Sequence, residues 1–328
     1  MPELNQPVAR IERPRVSIIV VTRNRCDDLA RCLSSLMNQT YPWSEIIVVD
    51  NDSSDDTWPM LQKFPVRSLR SPIRNLAFLF NLGYRFAPGD VVAYIADDAE
   101  ADPQWLGNLV DVLNESPDVA GVGGPTITTT TQEMHNLYGV GINSLLLRPL
   151  VRIYAVVVMQ NKLFSPGFLS DSGAYSMGSS LRNSLKLRRP VEVDLLTTTA
   201  MAMRKDSLEK IGGFDENFRF NHADGDLFVR LRARGCRLVF NPRAVVWHHV
   251  RMGSSREIYN IARDTAYFLM KDIRPNSVGA TLRLGINVLY LNGYWLYKFG
   301  VTKDSRYLKG IAAFVLGIRD YLNRLRNR

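Results

Sequence analysis

Asp97 and Asp98 stand side by side in DVVAYIADDAEADPQWL, with Glu100 and Asp102 close behind. Two carboxylates at the end of an apolar run repel one another. Either water solvates them in a turn, or a positive group belongs beside them. Magnesium and manganese suit the second reading, because these hard cations take oxygen ligands, usually one or two carboxylates completed by substrate phosphate. Two other apolar runs end in polar groups. VSIIVVT (16–22) delivers Thr22 and then Asn24, and EIIVVD (45–50) delivers Asp50, followed by Asn51 and Asp52. Asp102 precedes Pro103 and reads as a helix N-cap. Glu100 reads as turn chemistry.

The elements that must position these groups follow from periodicity. The three runs are continuous and rich in β-branched residues, the signature of strands buried on both faces of a parallel sheet. Between the first two, Leu29, Cys32, Leu33, Leu36 and Met37 recur with helical spacing. VRSLRS (66–71) reads as a third strand, 75–87 as a helix, DVVAYIA (90–96) as the fourth strand and VAGVGGPT (119–126) as another. This alternation predicts an open α/β sheet with helices on both faces, whose ligands sit beyond the carboxyl ends of the strands. Further on, RIYAVVVM reads as a strand and residues near 160–190 as a mobile loop. HADGDLFVRLRARG (222–235) reads as a helix stopped by Gly235, CRLVFNP and AVVWHH as strands, and 258 to the end as helical. His248 and His249 would face opposite sides of their strand, so at most one faces a site.

Composition bounds the rest. Of 328 residues, 46% are hydrophobic and 22% charged, enough for a sizeable core. Cys26, Cys32 and Cys236 form no CxxC pair, which points to reduced thiols in the cytoplasm. Residues 1–14 read as a disordered lead-in without a signal-like apolar core, and no run approaches a transmembrane span. The net charge of +9 lies entirely in residues 251–328, which carry 14 Lys/Arg and 5 Asp/Glu.

Five blocks in order, VSIIVVTRNR, EIIVVDNDSSDDT, DVVAYIADDAEADPQWL, GGFDENFRFNHADGDLFVRLRARG and PRAVVWHH, resemble the family 2 glycosyltransferases of GT-A fold. The resemblance covers about 14–250. It implies a catalytic domain over 15–250, with a nucleotide-binding half at about 15–126 and an acceptor half at about 127–250; beyond it, by its own charge and pattern, 251–328 reads as a basic helical region. It implies inverting transfer of a sugar from a nucleotide-diphosphate donor to a hydroxyl of a lipid-linked or polysaccharide acceptor, with Mn2+ or Mg2+ as cofactor. By position, Thr22, Asn24, Asp50, Asn51 and Asp97 would contact the nucleotide sugar, Asp98 and His248 the metal, and Asp224 would be the catalytic base. Four departures stand out: Ala96 replaces a first acid of the metal motif, Ala223 a glutamate before Asp224, Thr198 a glycine near the acceptor, and NLAFLFNLG a glycine-rich stretch. The missing carboxylates at Ala96 and Ala223 keep a non-catalytic glycan- or nucleotide-binding protein of the same fold open. A dinucleotide oxidoreductase is disfavoured, because VTRNRCDD is no GxGxxG.

One tension attaches to Asp224. It starts a helix whose dipole favours the charged form and weakens it as a base, and an N-cap role for Asp224 or Asp226 is the alternative. In 278–328, Trp295 with Tyr290, Tyr294 and Tyr297 suits a membrane interface. The competing reading is a helical cap packed on the catalytic domain. Nucleic acid is not expected as a partner, since no recognised motif accompanies the charge.

Overall fold

The computed structural model describes residues 13–43, 45–128, 148–177, 184, 186–249 and 258–326. Most of the lead-in and part of the loop expected near 160–190 therefore lie outside the described residues.

Strands β1 (Val16–Thr22), β2 (Glu45–Asp50), β3 (Arg67–Arg70) and β4 (Val91–Ala96) are parallel neighbours, joined through helices α1 (Cys26–Met37), α2 (Thr57–Leu61) and α3 (Leu76–Arg85). They belong to an eight-stranded sheet of order β10-β12-β6-β11-β4-β1-β2-β3. The added strands are β6 (Val119–Gly123), β10 (Val191–Val193), β11 (Ala200–Arg204) and β12 (Arg237–Phe240). β11 is antiparallel to both neighbours and β10 to β12, so the sheet is mixed on one side. The apolar runs are continuous because each strand feeds two cores. Ile18 and Val20 pack beneath α1 and α4 (Trp105–Glu115), while Ile19 packs with α3, α7 (Ala223–Arg232) and α8 (Ile258–Asp272) on the other face. Gly83 lets α3 lie close on that face, since a Cβ there would meet Ile19 Cγ2 at 2.6 Å.

A second, three-stranded sheet joins β5 (Ala99–Ala101), β13 (Val246–His248) and β7 (Thr126–Thr128), with β13 in the middle. The sequence showed no sign of β5. Its three residues follow the acidic pair directly and read as part of the turn. α4 starts at Trp105, later than the Asp102–Pro103 reading: Asp102 Oδ1 accepts from the Gln104 amide at 2.9 Å and shapes a turn that precedes the helix. RIYAVVVM lies mostly in helix α5 (Arg148–Val157) rather than a strand, because a short β-branched run is ambiguous until its neighbours are known. The remaining elements are a short hairpin, β8 (Phe168–Leu169) with β9 (Tyr175–Ser176), and helix α6 (Lys205–Lys210).

The C-terminal chain forms α8, α9 (Val278–Thr302) and α10 (Arg306–Arg326). α10 is a cap packed on α8: a Cβ on Gly317 would meet the Arg263 carbonyl oxygen at 2.2 Å. Arg324 reaches the Tyr267 hydroxyl at 2.6 Å and Asp215 at 3.1 Å. In α9, Trp295 turns inward against Phe314, and Tyr290 and Tyr294 are half-buried. Of the four aromatics expected at an interface, Tyr297 is the exposed one.

Candidate active site

Polar side chains can emerge on β1 and β4 only where the chain leaves the core. Val21 pairs with Ala96, so the next residues, Thr22 and Asp97, arrive together at the strand ends. Thr22 Oγ1 donates to Asp97 Oδ2 at 2.8 Å. Both line a cleft of about 670 Å³ that also receives Asn51 from β2, Thr198 from the turn before β11, and Arg23, Arg25, Arg74 and Arg219. Burial, opposed by Arg25 and reinforced by the Asp98 charge, pushes the Asp97 carboxyl up to about 6.

Asp98 is held between two elements. β13 pairs with β5 so that His248 lies opposite Ala99, and His248 Nε2 comes 3.0 Å from Asp98 Oδ1. The Arg25 guanidinium contacts the other oxygen, Oδ2, and lies 3.7 Å from Asp97. Burial works against the Asp98 charge, but His248 and Arg25 outweigh it and hold the carboxyl below its usual range. His249 instead approaches Glu100 at 3.3 Å. Among the described residues, no three His, Cys, Asp or Glu side chains form a ready-made metal cage. The donor set still suits a hard cation, because one ionised carboxylate with an imidazole beside it supplies part of a shell that substrate phosphate completes. Arg25 holds the neighbouring positive charge.

Asp224 lies in the first turn of α7 and lines a second cavity of about 150 Å³, whose Thr197 and Asn221 are chain neighbours of the cleft's Thr198 and Phe220. Neither Asp224 nor Asp226 is the N-cap. That residue is His222, in left-handed geometry (φ 60°), with no side-chain capping bond. Asp224 Oδ1 accepts from the Gly225 amide at 2.9 Å, and the Thr198 backbone also hydrogen-bonds this carboxylate. Burial nevertheless raises its pKa above the usual range, so desolvation outweighs the local amides and the weakening expected from the helix end is not the net effect. Asp226 is fully buried and binds Arg230 at 2.7 Å and Lys271, anchoring α7 to α8. His222 stacks on Phe268 and shares a 3.0 Å hydrogen bond with Thr265. Ala223, where the resemblance implies a glutamate, packs in the core.

The expected nucleotide-sugar residues divide into lining and support. Thr22, Asn51 and Asp97 line the cleft. Asn51 also donates to the Ser71 and Ile73 carbonyls at 2.8 and 2.9 Å, fixing the opposite wall. Asp50 is fully buried, accepts from the Ser53 amide at 3.2 Å and lies 3.5 Å from Arg70. Asn24 (φ 51°) accepts from the Ser54 amide at 2.8 Å. Both therefore tie the loops behind the lining. Sequence reasoning missed the four cleft arginines, Arg23, Arg25, Arg74 and Arg219, and it missed Asp264. Arg25 sits in the quoted block VSIIVVTRNR, and its cation three residues beyond a polar strand end was an available signal. Asp264, on α8, accepts from the Arg219, Phe220 and Asn221 amides at 2.9, 2.8 and 3.0 Å, which shapes the segment between cleft and α7. Nothing in its helical setting marks that role.

The profile of the family described as Glycosyl transferase family 2 matches residues 17–212. The chain belongs to that family. The Myxococcus xanthus O-antigen biosynthesis protein RfbC is 28% identical over 243 residues, covering 72% of this chain and 17% of that protein. The N-acetylglucosaminyl-diphospho-decaprenol L-rhamnosyltransferase of Mycobacterium tuberculosis is 26% identical over 246 residues, 73% of this chain and 78% of its own length. The chain spans well under half the length of several other relatives, for example 32% of a Pyrococcus furiosus dolichol-phosphate mannosyltransferase. Among solved structures, a Pyrobaculum calidifontis mannosyltransferase in complex with GDP-Man and Mn2+ superposes with a TM-score of 0.55 at 18% identity, over 93% of this chain and 75% of that one. The GalNAc-T7 structure with UDP, GalNAc and Mn2+ gives the same score at 14% identity, over 85% and 56%. This glycosyl transferase family 2 chain thus has the GT-A fold, extended by C-terminal helices.

Proposed function

We propose that this chain transfers a sugar from a nucleotide-diphosphate donor to a hydroxyl of a lipid-linked or polysaccharide acceptor, with inversion at the anomeric carbon and with Mn2+ or Mg2+ as cofactor. The observation that carries the proposal is the composition of one cleft. Four arginines and a strand-end carboxylate line it, and Asp98 with its His248 partner stands next to that carboxylate. Arg23 Nε is buried and has no hydrogen-bond partner among the described residues, as expected of a donor reserved for an anionic ligand. Arg23, Arg74 and Arg219 would bind the diphosphate, while Asn51 and Thr22 face the nucleoside.

Asp98 and His248 would hold the divalent ion, which supplies charge stabilisation for the departing diphosphate. Arg25, which neutralises both carboxylates, would then be free to contact the donor. Asp224 takes the proton of the attacking hydroxyl, an effect of roughly 10²–10⁴-fold in rate; its raised pKa strengthens it as a base. Attack from the face opposite the diphosphate inverts the anomeric carbon. The mycobacterial relative, named for a diphospho-decaprenol acceptor, supports a lipid-linked class. We place the reaction in the cytoplasm, in keeping with three cysteines that form no disulfide, with peripheral membrane attachment through residues 278–328.

The test is a panel of nucleotide-diphosphate sugars with Mn2+ or Mg2+, scored for nucleoside diphosphate release. Release that is abolished by Asp98→Ala and by Asp224→Asn supports the proposal. Donor binding with no release from any member would identify a binding protein of the same fold.

A further inference from the structure

We infer that the joined outer faces of α5 and α9 seat this protein on an anionic lipid bilayer. The inference deepens the peripheral attachment proposed above by naming the surface, and it rests on the transferase reading only for what the membrane delivers. α9 runs for 25 residues, about 37 Å at 1.5 Å per residue. It contains no acidic residue, and its two cations are engaged elsewhere. Arg283 binds Asp171 at 2.9 Å, and Lys298 lies over the Tyr307 ring. Its outward positions are apolar: Val278, Leu282, Leu289 and Val301 are 79%, 64%, 74% and 64% exposed. Ala280, Asn287 and Trp295 form the opposite, buried side. A helix facing water normally turns charge outward. α10 of the same molecule turns out both kinds, with Lys309, Arg319 and Arg326 exposed beside Val315 and Leu325.

α5 extends the apolar face with Leu150, Ile153 and Val156, each more than half exposed. Tyr154 of α5 stacks on Tyr290 of α9 at 3.9 Å, and its hydroxyl donates to Asn287 Oδ1 at 3.0 Å. The two helices therefore pack side by side, each with exposed apolar residues.

Charge selects the occupant. α5, like α9, has no acidic residue, and Arg152 on α5 is exposed. Exposed Arg274 and Lys303 bracket α9. Anionic headgroups attract such residues. A second copy of this chain would bring the same cations face to face. Among the described residues, no helix is long and apolar enough to cross a membrane, so the helices lie in the interface plane. A cavity of about 220 Å³, lined by Tyr154, Tyr290, Tyr294 and Trp295, opens between them and shares Tyr175, Asn221 and His222 with the cavity of Asp224. An acceptor held in the bilayer would approach the base from this side.

The test is co-sedimentation of the full chain with phosphatidylcholine vesicles, with and without phosphatidylglycerol. Binding to the anionic vesicles is expected, weakening in high salt. Leu282→Asp with Leu289→Asp, and separately Ile153→Asp, should lower the partition coefficient at least about tenfold. The circular dichroism spectrum and donor hydrolysis in solution should not change. Wild-type protein that stays in the supernatant, or variants that pellet like wild type, would overturn the inference. So would a wild-type dimer in light scattering that the paired substitution turns into a monomer, since the face would then bind a second copy. Donor hydrolysis by wild type is read separately, so failure here leaves the proposed reaction standing.

Discussion

His248 Nε2 stands 3.0 Å from Asp98 Oδ1, joining residues 150 apart in the chain. The contact exists because β13 inserts between β5 and β7, and it keeps Asp98 ionised despite burial. If these two groups form part of a cation's shell, His248→Ala should weaken Mn2+ binding about 10–100-fold and Asp98→Asn at least as much. Electron paramagnetic resonance titration of free Mn2+ checks this without reference to turnover. Unchanged Mn2+ affinity in both variants would remove them from the shell.

Arg25 supplies the positive charge nearest the two carboxylates. Arg25→Met leaves Asp97 and Asp98 without it and should lower stability by about 1–3 kcal/mol at neutral pH. Mn2+ should then raise the melting temperature of the variant more than that of wild type, because the ion replaces the lost cation. Equal shifts in both proteins would show that Arg25 and the ion do not share a position.

Asp224→Asn keeps the shape of the side chain and removes its capacity to take a proton. Its kcat should fall about 10²–10⁴-fold with little change in the KM for donor. A loss confined to KM would assign Asp224 to binding.

Asp264 gathers three backbone amides ahead of α7. Asp264→Ala strands those three donors, while Arg263 keeps Asp320 at 2.8 Å, so stability should fall by about 1–3 kcal/mol. Asp264→Asn keeps an acceptor and should recover part of that in urea unfolding. Equal stability of the two variants would show that the amide contacts contribute nothing.

Asp272 provides a pH signature. Burial first, and then the Asp226 charge, push its carboxyl up to about 8, against Lys271. An unfolded carboxyl titrates near ~4. The stabilising contribution of the protonated form is therefore complete below about pH 4 and is lost as pH rises through about 8. Asp272→Asn mimics the neutral acid, so its melting temperature should fall less than that of wild type between about pH 6 and about pH 9. Parallel curves would place the titration elsewhere.

Much of the nucleotide half was legible in one dimension, because strands buried on both faces must be apolar throughout, and a polar residue then marks the point where each strand leaves the core. Thr22, Asp50 and Asp97 were found that way. Asn51 lines the cleft, but Asp50 and Asn24 serve the loops behind it, a difference set by side-chain direction. RIYAVVVM, short and β-branched, carries no period that separates strand from helix, and its contact with Tyr290 lies 136 residues from Tyr154. Periodicity reports what one element buries. The pairing of His248 with Asp98, the turn of Asp264 toward three amides, and the division between a packed α10 and an outward α9 depend on elements distant in sequence, so only the packing of the whole chain decided them.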